Sequence, residues 1–201
     1  HDCRTRRDGR KILAVVFNIG TLVFYKYSGF LMGVVGLAAY APSVTMPLGI
    51  SFFTFQITGY IIDVYRKKIP AEKNIISVMT FIVLFPQLIA GPIVLYTHVR
   101  DELRSRTITL EGLERGMTVF IAGLAAKVLL ANPLGALYQD ILGTPTASAP
   151  AMWLATLASV LQLYFDFAGY SSMAIGMGQM MGFRFPQNFN HPLSARSMRD
   201  F

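Results

Sequence analysis

"AMWLATLASVLQLYFDFAGYSSMAIGMG", residues 151–178, is apolar from end to end except for a few neutral polar groups and one carboxylate, Asp166. A membrane-crossing helix needs about 20 predominantly apolar residues, and this run supplies them. A charged side chain at that depth is costly unless it is paired or faces a bundle interior. The stretch therefore predicts a spanning helix with an interior side.

The rest of the chain agrees. Of its 201 residues, 53% are hydrophobic and 14% charged, with a mean hydropathy of +0.47. Soluble domains carry about 25% charged residues, so a soluble globular fold is excluded and the fold class is all-α, a multi-pass transmembrane bundle. Further apolar stretches cover residues 12–27, 46–65, 74–96 and 116–138. The shorter segment 30–41 reads as a half-helix or interfacial piece. One membrane domain, with the lipid bilayer as its first partner, takes in the whole of 1–201.

All but Lys26 and Lys127 of the 18 lysines and arginines fall in four clusters, at 4–11, 66–73, 100–115 and 184–199. Under the positive-inside rule these clusters are cytoplasmic, and the bare segments 28–45 and 128–150 are external. The net charge of +7 thus belongs to loops between spans. No aromatic-interleaved basic platform suggests nucleic acid. Basic loops flank 74–96 on both sides, and Pro86, Gly91 and Pro92 break its helical pattern. A re-entrant hairpin returning to the same side satisfies both facts; a Pro-kinked span is the alternative. The expected topology is four spans (12–27, 46–65, 116–138, 151–178) plus the hairpin, with both ends cytoplasmic. "NPLG" (132–135) and "GTPTASAP" (143–150) read as an external connection, and "GFRFPQNFNHP" (182–192) as the end of the last span. The basic opening without an initiator methionine or a signal-peptide pattern suits an internal piece of a longer membrane protein. The single Cys3 provides no disulfide framework.

Polar residues inside apolar runs are the functional candidates. At 3.6 residues per turn, Gln162, Asp166, Gly169, Tyr170 and Met173 share one face of the last span. Ala168, Ser172 and Gly176 recur every four residues on another, the pattern by which membrane helices approach closely. A buried network that only specifies packing fits the polar face as well as a functional cavity does. Lys127 either snorkels to the interface or pairs with a carboxylate, Asp166 being the obvious one. Asp63 is expected to pair with Lys67 at i,i+4. Gln87 lies in the "PQLIAGP" break, and Asn188, Asn190 and His191 sit together in "QNFNHP". His1, His98 and His191 lack metal-ligand spacing, so no metal is expected. "GMGQMMG" (176–182) is out of register for a dinucleotide fingerprint and follows no strand. There is no serine nucleophile elbow.

Four stretches, "MPLGISFFTFQITGYIIDVYR" (46–66), "FPQLIAGPIVLY" (85–96), "QLYFDFAGYSSMAIG" (162–176) and "MGFRFPQNFNHPLSARSMRDF" (181–201), resemble the membrane-bound O-acyltransferase (MBOAT) family, most of all its bacterial alginate O-acetyltransferase branch. The resemblance runs in order through nearly the whole chain. It implies a multi-pass enzyme of the bacterial inner membrane that moves an acyl group, typically acetyl, to an extracytoplasmic polysaccharide such as alginate. Acetyl-CoA or another acyl donor is the implied substrate, with no bound cofactor. An SGNH-type acetyltransferase, periplasmic or membrane-anchored, is the implied protein partner.

The family's catalytic histidine works in a tunnel, as a base for a hydroxyl attacking a thioester. The resemblance puts the family histidines beyond Phe201, so no catalytic residue is assigned here and residues 1–201 alone should be inactive. Gln162, Asp166, Tyr170, Lys127, Gln87, Asn188, Asn190 and His191 are left as tunnel or structural polar candidates. Ser172 and Asn132 stand where the branch commonly has aspartate, and Leu95 where it has a basic residue; these departures bear on substrate and activity. Two other readings compete. A transporter or binding module should show an inverted repeat of the broken hairpin, and none is visible. A non-catalytic scaffold for a periplasmic acetyltransferase is the other.

Overall fold

The computed structural model describes residues 2–36, 45–47, 49–87, 94–189 and 192–197, side chains at 2–8, 10–11, 87 and 193 excepted. The described residues are helical, with short 3-10 turns, and contain no strand. They form two compact units, one built from residues up to 89 together with 95–103, the other from 90–94 and 104 onward.

In the first unit α1 (Asp2–Val34) is one unbroken helix. It continues through 28–34, so the first apolar stretch is longer than 12–27 and takes in the start of the segment read as a separate half-helix. Gly29 alone costs a helix only about 1 kcal/mol, too little to end it. The end comes at Gly36, whose φ of +78° terminates the helical run. Most of the face of α1 is exposed and apolar, Phe17 and Phe30 included, as a lipid-facing helix requires. A polar link ties it to α2 (Ile50–Tyr65), where Asn18 Nδ2 donates to Thr54 O and Thr58 Oγ1, both at 2.9 Å.

Helix α2 closes with a left-handed Lys67 at φ +59°. Lys67 N bonds Val64 O and Lys68 N bonds Asp63 O, the paired bonds of a Schellman cap. That turn swings Lys67 off the helix face. Lys68, not the expected Lys67, therefore meets buried Asp63, at 3.5 Å.

α3 (Ile75–Ile82) starts on Asn74, whose side chain accepts from Ile76 N, and stops after eight residues. At 1.5 Å per residue that is about 12 Å, too short to cross a bilayer. A 3-10 turn at Phe85–Gln87 follows, where Pro86 disfavours helix for its predecessor. Residues 88–93, the heart of the expected hairpin, lie outside the described residues. Polar α4 (Tyr96–Arg104) comes next. Tyr96 packs edge-on against Tyr60 and Phe81 and donates to Glu72 Oε2, so the 66–74 loop is tied to this aromatic core.

The second unit is a helical hairpin. α5 (Leu110–Ala125), a π-helical turn (Ala126–Ala131) and α6 (Asn132–Leu142) run on without a break, and α7 (Ala149–Met180) returns beside them. Two glycine pairs hold it. A Cβ on Gly116 would lie 2.6 Å from Gly176 O, and one on Gly123 2.5 Å from Gly169 O. Backbone rests on backbone at both points, which only glycine permits. The tight face of α7 is thus Gly169 and Gly176, seven residues apart, with Ser172 between them. This differs from the Ala168, Ser172, Gly176 spacing and moves Gly169 off the polar stripe; a seven-residue interval keeps better register with an antiparallel partner.

"NPLG" is also helical, contrary to its reading as a turn. Pro133 has no N–H and its ring crowds the carbonyl four residues earlier. The helix answers by widening, Asn132 N bonding Lys127 O five residues back. The connection read from the sequence as external shrinks to 143–148. Among the described residues three helical stretches are long and apolar enough to cross a membrane, Ile12–Val34, Leu110–Leu142 and Ala149–Met180. α2, at 16 residues, rises about 24 Å against a core of about 30 Å.

Candidate functional site

The polar groups of α7 come down one side of the helical hairpin. Gln162 lies against the bare backbone of Gly135 in α6, its amide 3.3 Å from where a Cβ would stand. One turn on, Asp166 Oδ1 accepts a hydrogen bond from Lys127 Nζ in an ion pair. Lys127 opens the π turn, and such turns inside helices are frequent at functional sites. Both members stay accessible, at 37% and 40% exposure. Charges so placed between spans belong against water or further protein, not acyl chains. Tyr170, half-buried, follows one turn later.

The end of α7 builds a second feature. Gly182, at φ +82°, makes a Schellman cap in which Phe183 N bonds Gly178 O and Gly182 N bonds Gln179 O. The chain then reverses and runs back, extended, beside α7. Phe185 seats its ring on Gly178, where a Cβ would come within 2.5 Å of it. Phe189 reaches Tyr164 and Phe167, edge-on at 6.1 and 6.2 Å. The return segment therefore climbs past several turns of the helix, where the sequence reading had only the end of a span. Non-helical backbone at such depth is tolerated where it lines a cavity, and here it does. A cavity of about 260 Å³ lies between α5, α7 and the return segment, lined by Ser171, Ser172, Gln179, Phe185, Gln187 and Asn188 among others.

Of the sequence candidates, the structure brings Lys127 to Asp166, sets Gln162 on α6 and puts Asn188 at the cavity mouth. Tyr170 and Gln162 are not among the residues that line the cavity. Asn190 and His191 lie outside the described residues, as does the side chain of Gln87. His98 is exposed on α4. Sequence reasoning missed Ser171 and Gln179. Their signal was the i, i+4, i+8 series Ser171, Ile175, Gln179, which the glycine-rich surroundings obscured.

No protein-family model matches the chain. It is, however, 41% identical over 98% of its length to a probable alginate O-acetylase AlgI of Pseudomonas aeruginosa. It is 30% identical over 94% of its length to a peptidoglycan O-acetyltransferase of Helicobacter pylori. A teichoic acid D-alanyltransferase of Bacillus subtilis shares 29% identity over 77% of the chain. The chain belongs to the membrane-bound O-acyltransferase family. It spans about 40% of the length of these relatives, 40%, 42% and 40% in turn. It is a multi-pass membrane protein, and the helical hairpin α5–α7 with its return segment carries the Lys127–Asp166 ion pair and the polar-lined cavity.

Proposed function

We propose that the protein containing this chain is an O-acyltransferase that passes an acetyl group from a cytoplasmic thioester, acetyl-CoA or another acyl donor, towards hydroxyls of an extracytoplasmic polysaccharide such as alginate. One observation carries the reading. Three relatives named for two acyl groups and three polymers align with most of this chain, and what they have in common is acyl transfer. In that reaction a hydroxyl oxygen attacks the thioester carbonyl, its proton goes to a base, and the thiolate leaves.

The residues of this chain are proposed as walls of the path, not as the base. Lys127 and Asp166 would hold a polar, wet surface beside the hairpin, with Gln162 and Tyr170 bordering it. The setting proposed is the bacterial inner membrane. An SGNH-type acetyltransferase on the periplasmic side would complete delivery to the polymer.

The test is deletion of the gene in its own host, with the acetyl ester content of the exopolysaccharide read by NMR. Loss of the esters, restored by the full-length gene, is expected. Unchanged ester content, together with no transfer of label from acetyl-CoA in membranes carrying the full-length protein, would sink the proposal.

A further inference from the structure

Two sets of polar groups meet at the cavity between α7 and the return segment, and neither is completed by the fold. On α7, Ser171 is 2% exposed, and neither its Oγ nor Gln179 Oε1 has a hydrogen-bond partner among the described residues. A buried hydroxyl or amide oxygen is costly to leave unpaired, and native structures keep such groups where water or another partner completes them. The return segment has the same need. Phe183 N bonds Gly178 O, but from Phe185 to Phe189 no backbone group has a backbone partner among the described residues. That stretch is seated by rings alone, Phe185 on Gly178 and Phe189 against Tyr164 and Phe167. Extended backbone beside a membrane helix has to be satisfied by protein or by water.

The lining identifies the occupant. Among the described residues no ionisable side chain faces the cavity, so a charged guest would lie there without a counter-charge. What it does offer is hydroxyls and amides, from Ser171, Ser172, Gln179, Gln187 and Asn188, set against the Phe185 ring. A water is held where a space is polar and supplies two to four partners, and one water needs only ~10–15 Å³. The cavity, at about 260 Å³, has room for several. Ser171 and Gln179 stand eight residues apart, about 12 Å along the axis, which is further than one water bridges. We propose that the cavity holds a file of ordered water molecules, anchored by Ser171 and Gln179 on one side and by the backbone of residues 185–189 on the other, and that this water fastens the return segment to α7. Ser171 lies nine residues before Met180, so the file reaches about 13 Å in from the helix end. The site is independent of the acyl-transfer reading, because it follows from the partnerless groups alone.

Hydroxyl-radical footprinting of the full-length protein in lipid nanodiscs tests this, since an X-ray pulse splits bound water and the radicals mark the side chains beside it. Phe185, 8% exposed, should be labelled well above Phe81, which is 1% exposed in the aromatic core of the first unit. Lipid-facing Phe17 supplies a second dry reference. Ser171→Ala and Gln179→Leu should each lower Phe185 labelling about twofold or more, because each removes one hydrogen bond to the file, and the double variant should bring it to the level of Phe81. Mixing with ¹⁸O-water just before the pulse separates held water from bulk: Phe185 should still take up ¹⁶O when exposed Tyr65 already takes up ¹⁸O. Hydrogen exchange on the same samples reads the fastening. In the double variant the amides of 187–189 should exchange faster, while those of 155–165 keep wild-type protection and show that α7 is still folded. Phe185 labelled no more than Phe81 in the wild type overturns the proposal, as does labelling that the double variant leaves unchanged. Prompt ¹⁸O in Phe185 would mean an open cleft filled from bulk and overturns it too. Equal exchange of 187–189 in wild type and double variant overturns the fastening role.

Discussion

Gly123→Ala gives the sharpest test of how the second unit is held together. The added methyl would lie 2.5 Å from Gly169 O, 2.8 Å from Met173 N and 2.9 Å from Ser172 Cβ, where ordinary Cβ contacts begin at 3.4 Å. Two of those three neighbours are backbone, which cannot rotate aside. α7 must back away by the better part of an ångström, thinning the packing along the whole seam. Inserting a methyl(ene) into a well-packed interior costs about 1–3 kcal/mol. Against this stands the helix-propensity gain of replacing glycine, at most about 1 kcal/mol. A net loss of about 1–2 kcal/mol is expected. Gly20→Ala and Gly29→Ala in α1 are the controls, since a Cβ there meets nothing within 4 Å; they should be neutral or mildly stabilising. Unfolding of the full-length protein in mixed micelles, followed by helical circular dichroism, measures all of them. Adding Gly116→Ala should cost less than the two single losses summed, because separation forced at one glycine pair relieves the other. If Gly123→Ala is no worse than the α1 controls, the backbone contact is wrong.

The ion pair gives a coupling prediction: Lys127→Met and Asp166→Leu should each destabilise, while the double variant recovers about 1 kcal/mol relative to their sum, and strict additivity would dissolve the pair. Pro133→Ala should let the π turn relax to ordinary α-helix, rotating Lys127 about the helix axis, so the same double-mutant cycle in that background should lose most of its coupling; an unchanged value would show that Pro133 does not cause the π turn. Lys67→Gly should stabilise by about 0.5–1 kcal/mol, because the left-handed φ of +59° strains a side-chain-bearing residue and suits glycine; a loss of stability would mean that the cap is not formed as described.

Hydropathy made the helical membrane class legible, and with it the long apolar stretches and the anomaly of Asp166. Charge reasoning also reached Lys127, since two lone opposite charges in apolar helices have few other partners. What stayed hidden needed the third dimension. Pro133 reads as a turn signal because local rules know only that proline breaks an α-helix, whereas a membrane helix can keep its path by slipping one bond in register. Lys67 and Lys68 are indistinguishable in sequence; the left-handed cap decides which of them reaches Asp63. Gly116 and Gly123 stand seven apart on one helix, as Gly169 and Gly176 do on the other, yet only the antiparallel register shows that they are partners. The return segment was least legible, since "GFRFPQNFN" has neither apolar length nor periodicity. Its course is set by Gly182 and by two aromatic seats, Phe185 on Gly178 and Phe189 against Tyr164 and Phe167.

The glycine seam also explains why the polar groups lie where they do. Where α5 and α7 touch backbone to backbone there is no room for any side chain, so polar chemistry must sit just off the seam. Lys127 comes one turn after Gly123, and Asp166 about one turn before Gly169. The Gly123–Gly169 contact thus brings the two chains of the ion pair within reach from adjacent turns. On the other side of the same contact, Ser171 and Gln179 turn towards the space that the return segment encloses. One tight helix pair therefore separates an accessible, charged surface from a neutral, enclosed one. It follows that loosening the seam should disturb the charged side, so Gly123→Ala should weaken the Lys127–Asp166 coupling, whereas Ser171→Ala should leave it unchanged. Equal ion-pair coupling in the wild type and Gly123→Ala would mean that the two surfaces are built independently.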